Sequence, residues 1–231
     1  MYLCGLQKLA MVDYPGKLAA TVFTGGCNLR CPFCHNALLV TRLDETPELG
    51  EEAVLSFLAT RTKLLDGVVL SGGEPLLQPD AADFLRKIRQ MGFAVKLDTN
   101  GGRPAQLRAL AEAGLVDYVA MDVKNSPGRY GETTGVPGLD LAPFRESVSF
   151  LLQGTVDYEF RTTAVKGLHT RADFEGIAQW IAGAKEYYIQ EFKDSGDLIA
   201  GQGLDGFTEA EMHALAEVVR PLVPSVQVRG I

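Results

Sequence analysis

The sequence predicts an α/β fold, a partial barrel of six βα units, and three observations carry that prediction. Short runs rich in Val, Ile, Leu and Phe alternate with longer segments whose apolar residues recur at helical spacing. Several short runs are almost continuously apolar, as strands covered on both faces of a parallel sheet are. Glycine, proline and capping residues punctuate the joins between the two kinds of segment. Right-handed crossovers restrict such an order to an open doubly wound sheet or a barrel, and six main units favour the partial barrel.

In chain order, Ala19 to Thr24 is the first predicted strand, and a cysteine-rich loop follows it. Glu51 to Leu65 reads as a helix and Gly67 to Ser71 as the next strand. Asp80 to Met91 is helical with Gly92 suited to its end, and Ala94 to Asp98 returns as a strand. Pro104 fits the first turn of a helix running to Ala113, which Gly114 stops before the strand Tyr118 to Val123. The stretch Asn125 to Asp140, with four glycines and two prolines, reads as a long loop of the kind that often serves binding. Ala142 to Gln153, Arg171 to Ala182 and Thr208 to Val219 are the remaining helices, the last opened by a Thr208–Glu211 capping box. Between and after them lie the strands Tyr158 to Ala164, Tyr187 to Glu191 and Val226 to Arg229.

A length of 231 residues suits one domain spanning 1–231. The net charge of −7 argues against broad nucleic-acid or anionic-membrane binding, both of which want a basic surface. Met1 to Ala20 lacks the continuous apolar segment of a secretory signal, and no stretch approaches the roughly 20 apolar residues needed to span a bilayer. A soluble, reducing, cytoplasmic setting is the expectation.

Three of the four cysteines fall within eight residues, Cys27-Asn28-Leu29-Arg30-Cys31-Pro32-Phe33-Cys34. A closed zinc site wants four ligands, and His35 directly after Cys34 is hard to aim at the same tetrahedral ion. Cys31 to His35 matches the c-type haem attachment pattern, but Cys27 would be surplus. Disulfides do not suit a reducing compartment. Three thiolates without a fourth nearby point instead to a cluster with one open iron, able to bind a substrate rather than only pass electrons. Cys4 reads as a small apolar residue.

In parallel α/β folds ligands bind at the carboxyl ends of strands, where the cysteine loop, Ser71-Gly72-Gly73-Glu74-Pro75, Asp98-Thr99-Asn100-Gly101 and Asp122-Val123-Lys124 all fall. Gly72 and Gly73 would let backbone approach a ligand, and Glu74 offers an acceptor for an ammonium group. The bland alternative is an ordinary tight turn with an acid at a helix start.

The Cys-x3-Cys-x2-Cys spacing with an aromatic before the last cysteine, together with Gly-Gly-Glu-Pro, resembles the radical S-adenosylmethionine superfamily. The likeness runs from Asp13-Tyr14-Pro15-Gly16 to Tyr188-Ile189-Gln190. Within the superfamily the chain is most similar to the glycyl radical enzyme activases, in particular the activating proteins of anaerobic ribonucleoside-triphosphate reductases. The resemblance implies a partial (β/α)6 barrel of the radical S-adenosylmethionine type. It implies that Cys27, Cys31 and Cys34 hold a [4Fe-4S] cluster whose fourth iron chelates the methionine moiety of S-adenosylmethionine. It further implies that Glu74 accepts from the amino group of that moiety beside Gly72 and Gly73, and that backbone near Phe33 contacts adenine. Asp98 and Lys124 match positions facing the ribose and carboxylate, and Arg161 matches a cofactor-contacting arginine. Alternatively Asp98, Thr99 and Asp122 frame a monovalent cation, or Asp122 and Lys124 form a structural ion pair. Tyr188-Ile189-Gln190-Glu191-Phe192 departs from activases that carry a histidine on the last strand.

The implied activity is reductive cleavage of S-adenosylmethionine to a 5'-deoxyadenosyl radical, which removes a hydrogen atom from a glycine of a partner enzyme, with flavodoxin or ferredoxin as reductant. Two other readings compete with it. A radical enzyme acting on a purine-like or pterin-like ring would share the cluster residues, and an iron-sulfur electron carrier would share the cysteines alone. His35 and Asn36 are candidates to anchor the cluster loop, with helix capping by Asn36 as the simpler role. His169 and His213 read as surface or helix residues, and Trp180 as core.

Overall fold

The computed structural model describes residues 1–194 and 196–231. Eight strands form one sheet in strictly sequential order: β1 (Leu3–Ala10), β2 (Ala19–Thr24), β3 (Gly67–Gly72), β4 (Ala94–Thr99), β5 (Tyr118–Asp122), β6 (Asp157–Ala164), β7 (Tyr187–Glu191) and β8 (Val226–Arg229). β1 pairs antiparallel with β2, and every later pairing is parallel. The helices are α1 (Ala37–Thr41), α2 (Glu51–Ala59), α3 (Ala81–Gln90), α4 (Pro104–Glu112), α5 (Tyr130–Thr133), α6 (Ala142–Leu152), α7 (Arg171–Trp180) and α8 (Glu209–Val219).

A sequential parallel order requires every crossover to run the same way, which sends the helices to one face and leaves the other free to curl inward. The curl is evident where Val12 and Asp13, between β1 and β2, line the same cavity as Arg229 of β8. In a flat sheet β2 and β8 would stand roughly 29 Å apart, at about 4.8 Å per strand. β8 does not pair with β1, so the barrel stays open along one side. Its lower end is plugged by Tyr14, which is buried against Ala19 and Val69 and has its ring 6.1 Å from that of Tyr118. All three partners lie near the starts of their strands.

The outer layer follows the apolar pattern. α3 buries Phe84, Leu85 and Ile88 completely and turns Arg86 and Lys87 outward. Both halves of the Thr208–Glu211 capping box are formed, and Gly92 and Gly114 end their helices at positive φ. α2 stops six residues before its predicted end at Leu65, because Thr60 turns its hydroxyl back onto Phe57 O at 2.7 Å and the chain leaves in successive turns.

Three elements lie outside the predicted set: β1, α1 and α5. The predicted loop 125–140 contains a 3-10 turn at Pro127–Arg129 and then α5. Tyr130 of α5 is fully buried, 5.1 Å from the ring of Phe144 and 5.5 Å from that of Trp180, so Trp180 packs on the core as expected. No helix among the described residues is long and apolar enough to cross a membrane.

Candidate functional site

The carboxyl ends of β2 to β6 converge on one pocket. It is lined by Cys27, Cys31 and Cys34 and, among others, by Gly72, Asp98 and Arg161. The cysteine loop is held from four directions. Arg30 N donates to Thr134 O at 2.8 Å, Ala200 N to Pro32 O at 3.0 Å, and Asn36 Nδ2 to Gly72 O at 2.9 Å. His35 donates through Nε2 to Lys193 O at 2.7 Å and stacks on Phe192. His35 therefore anchors the loop as expected. Asn36 does so as well, because it stands at the start of α1 without making a side-chain cap.

All three loop thiols are free, as is Cys4, which is buried on β1 away from the pocket wall. Burial pushes the Cys31 thiol up to about 12, with the Lys124 ammonium acting against it. Burial likewise raises Cys27 and Cys34, opposed by the amides of Leu29 and Asn36 on their sulfurs. Thiols in so dry a site lose their protons readily only to an electrophile that replaces the missing solvation, which is what a metal does. Among the described residues no three His, Cys, Asp or Glu side chains converge as a single ion requires. A polynuclear cluster distributes its ligands over different irons and makes no such demand. The donor set fits an iron-sulfur cluster.

Gly72 and Gly73 pass beneath this loop at backbone contact. Gly72 has φ +118°, and a Cβ there would stand 2.3 Å from Thr24 N and O; a Cβ on Gly73 would stand 2.0 Å from Gly26 O. Gly73 N and Glu74 N then donate to Thr24 O and Gly26 O at 2.9 and 2.8 Å. Only glycine permits that approach.

Glu74 is not on the pocket wall, contrary to the expectation that its carboxylate faces the ligand. The residue is 0% exposed. Oε1 accepts from Leu76 N at 3.1 Å and from the Thr99 hydroxyl at 2.7 Å, and Oε2 accepts from Asn100 N at 2.6 Å. Burial lifts its carboxyl to about 7 despite those donors. Glu74, at the start of a 3-10 turn over Pro75–Leu77, thus ties the end of β3 to the end of β4.

Asp98, Lys124 and Arg161 all line the pocket and belong to one network. Arg161 lies between two carboxylates, with Nη1 3.5 Å from Asp98 Oδ1 and Nε 2.9 Å from Asp122 Oδ1. Lys96 pairs with Asp98 at 2.6 Å and Lys124 with Asp122 at 2.9 Å. Burial alone would raise both carboxyls, but Arg161 and the lysines bring Asp98 below its ordinary value and Asp122 to about 2. Burial opposes the charge on Lys124 and Arg161, and their acidic neighbours more than restore it. The Asp98 and Asp122 carboxylates come together around Arg161, whereas the Thr99 hydroxyl donates to Glu74 Oε1 at 2.7 Å.

Phe33 lines the pocket with its ring against His169, 6.5 Å between centroids. His169 is buried, not at the surface, its Nε2 2.8 Å from Lys124 O. His213 is exposed on α8, as predicted. Sequence reasoning passed over Lys96, and named Asn100 only within a strand-end segment, without a role of its own. Lys96 was legible as a charge inside an apolar strand two residues before Asp98, on the same face.

A model of the Radical SAM superfamily matches residues 21–181. A protein of Methanocaldococcus jannaschii, provisionally named a glycyl-radical enzyme activating enzyme, is 33% identical over 236 residues, covering 98% of this chain and 95% of its own. The 7-carboxy-7-deazaguanine synthase of Methanopyrus kandleri is 30% identical over 230 residues, covering 89% and 86%. Among solved structures, a radical SAM methyltransferase from Sphaerobacter thermophilus superposes with a TM-score of 0.72 at 16% identity over 96% of this chain and 68% of that one, a likeness of fold.

Proposed function

We propose that this chain, which belongs to the radical SAM superfamily, activates a glycyl radical enzyme, an anaerobic ribonucleoside-triphosphate reductase, by generating a glycyl radical on it. The observation that carries the reading is one pocket at the strand ends that brings together three free thiols, a glycine edge and paired charges. The family's cofactors are a [4Fe-4S] cluster and S-adenosylmethionine; together, when bound and reduced, they supply a 5'-deoxyadenosyl radical.

In this reading Cys27, Cys31 and Cys34 hold the cluster and leave one iron without a protein ligand. Gly72 and Gly73 present backbone to the methionine moiety, in the role first expected of the Glu74 carboxylate. Lys124 and Arg161 offer cationic donors to a carboxylate, and Asp98 offers an acceptor to ribose hydroxyls or an ammonium. Backbone beside Phe33 meets the adenine, while Phe33 and His169 exclude water from that side. The alternative role of Asp98, Thr99 and Asp122, framing a monovalent cation, competes with the ion pairs that Arg161 makes to the two carboxylates. The open side of the barrel admits a polypeptide loop, and flavodoxin or ferredoxin is the reductant in a cytoplasmic setting.

A second reading, a radical enzyme acting on a purine-like ring, is favoured by the likeness to the deazaguanine synthase. The experiment is anaerobic reconstitution and reduction, addition of S-adenosylmethionine, and quantification of 5'-deoxyadenosine, with Cys31→Ala as control. Turnover by the wild type alone is expected. Turnover by a Cys31→Ala protein of verified cluster content would overturn the assignment. A glycyl radical signal on added reductase separates the activase from the small-molecule enzyme.

A further inference from the structure

We infer that Asn100 is a positioning residue for the cluster, placing Cys27 and donating a hydrogen bond to its sulfur. The inference rests on the reading that Cys27, Cys31 and Cys34 hold that cluster. Asn100 is 5% exposed and directly follows β4, in contact with the cysteine loop. Its Nδ2 donates to Asn28 Oδ1 at 2.8 Å and lies 3.8 Å from Cys27 Sγ, a long N–H···S contact. Its Oδ1 accepts from Gly102 N at 2.8 Å. That acceptor fixes the orientation of the amide, because the flipped rotamer would set two donors against each other. Both amide protons and the carbonyl are thus assigned, one proton to the sulfur.

The backbone beneath this side chain is also held. Glu74 Oε2 takes Asn100 N at 2.6 Å, and Ser147 Oγ donates to Gly101 O at 2.7 Å. Gly101 sits at φ +79° with Met121 against it, where a Cβ would be 2.1 Å from the methionine methyl. The other donor to Cys27 is Leu29 N at 3.4 Å, from within its own loop. Asn100 is therefore the contact that ties this sulfur to the barrel. Glu74 acts through it, which gives the Gly-Gly-Glu segment a link to the cluster that does not pass through the cofactor.

A donor on a ligand sulfur stabilises the more negative, reduced cluster and raises its potential. Removing the donor makes reduction harder. Wild type, Asn100→Ala and Asn100→Asp are reconstituted anaerobically, iron and sulfide are counted, and the midpoint potential is followed by electron paramagnetic resonance without S-adenosylmethionine. Asn100→Asp keeps the shape and the acceptor for Gly102 N but loses the donors. Asn100→Ala is expected to shift negative by about tenfold in the reduction equilibrium, or about 59 mV for one electron, and Asn100→Asp, which adds a negative charge to the lost donor, by more. Full clusters at the wild-type potential in both would overturn the inference. Loss of iron from variants that melt like the wild type supports the placement of Cys27, whereas loss of iron with a lowered melting temperature marks a merely structural residue and overturns it. A wild type that takes up no cluster refutes the three-cysteine reading instead.

Discussion

Glu74→Gln is expected to abolish a pH dependence of stability that the wild type carries between about pH 4.5 and 7. The carboxyl sits in a fully buried position where burial outweighs three donors and lifts it from 4.5 to about 7. The native state therefore binds a proton in that window that the unfolded state has released. Stability falls as pH rises where the native state holds more protons, so the contribution is complete below about 4.5 and lost above about 7. At about 1.4 kcal/mol per pH unit the span amounts to about 3 kcal/mol. The assay is denaturant unfolding of the metal-free protein at half-unit steps from pH 5 to 8, compared as wild type minus variant. Buried His169, whose protonation is disfavoured, gives stability the opposite slope in an overlapping window and cancels in that difference. A difference that stays flat, or that grows with pH, would refute the reasoning, because it would mean that the donors from Leu76, Thr99 and Asn100 outweigh burial.

Gly73→Ala drives a Cβ to within 2.0 Å of Gly26 O, so the cysteine loop has to lift; loss of cluster uptake on reconstitution, read by iron content, is the expected outcome. Arg161→Gln leaves Asp98 and Asp122 short of their shared cation and is expected to destabilise by about 3 to 5 kcal/mol in urea unfolding. The gap between the wild type and this variant should narrow on acidification, because Asp122, held at about 2 by Arg161 in the wild type, contributes stability that is present above about 3.8 and disappears as pH falls toward 2. Thr208→Ala removes one half of the α8 capping box for about 1 kcal/mol, read as a shift in the unfolding midpoint with 5'-deoxyadenosine production unchanged.

The parallel strands were legible because their apolar runs are uninterrupted and bounded by turn residues; Ala19–Thr24, Tyr187–Glu191 and Val226–Arg229 match their predicted limits. β1 was not, because Leu3–Ala10 carries Gly5, Gln7 and Lys8, and an edge strand with one partner needs no apolar alternation. α1 and α5 are five and four residues long, too short for helical periodicity to register, and tertiary packing around Tyr130 forms the second of them. At the site, motif and strand-end position located Asp98, Lys124 and Arg161 on the wall. They did not reveal that Glu74 turns inward, since its direction depends on amides of Leu76 and Asn100 that only the folded β3 and β4 ends bring to it. The role of Asn100, visible only as a member of a strand-end segment, stayed hidden for the same reason, as its partners Asn28 and Gly102 come from different segments.

The four anchors of the cysteine loop set an order of events during synthesis. The ligands lie at positions 27 to 34, yet the groups that hold their loop arrive with Gly72, Thr134, Lys193 and Ala200. A nascent chain that has exposed only the cysteines, or even β2 to β6, still lacks the contacts at Lys193 and Ala200. The loop is therefore held on all four sides only once the chain through Ala200 has folded, well after the cysteines themselves are made.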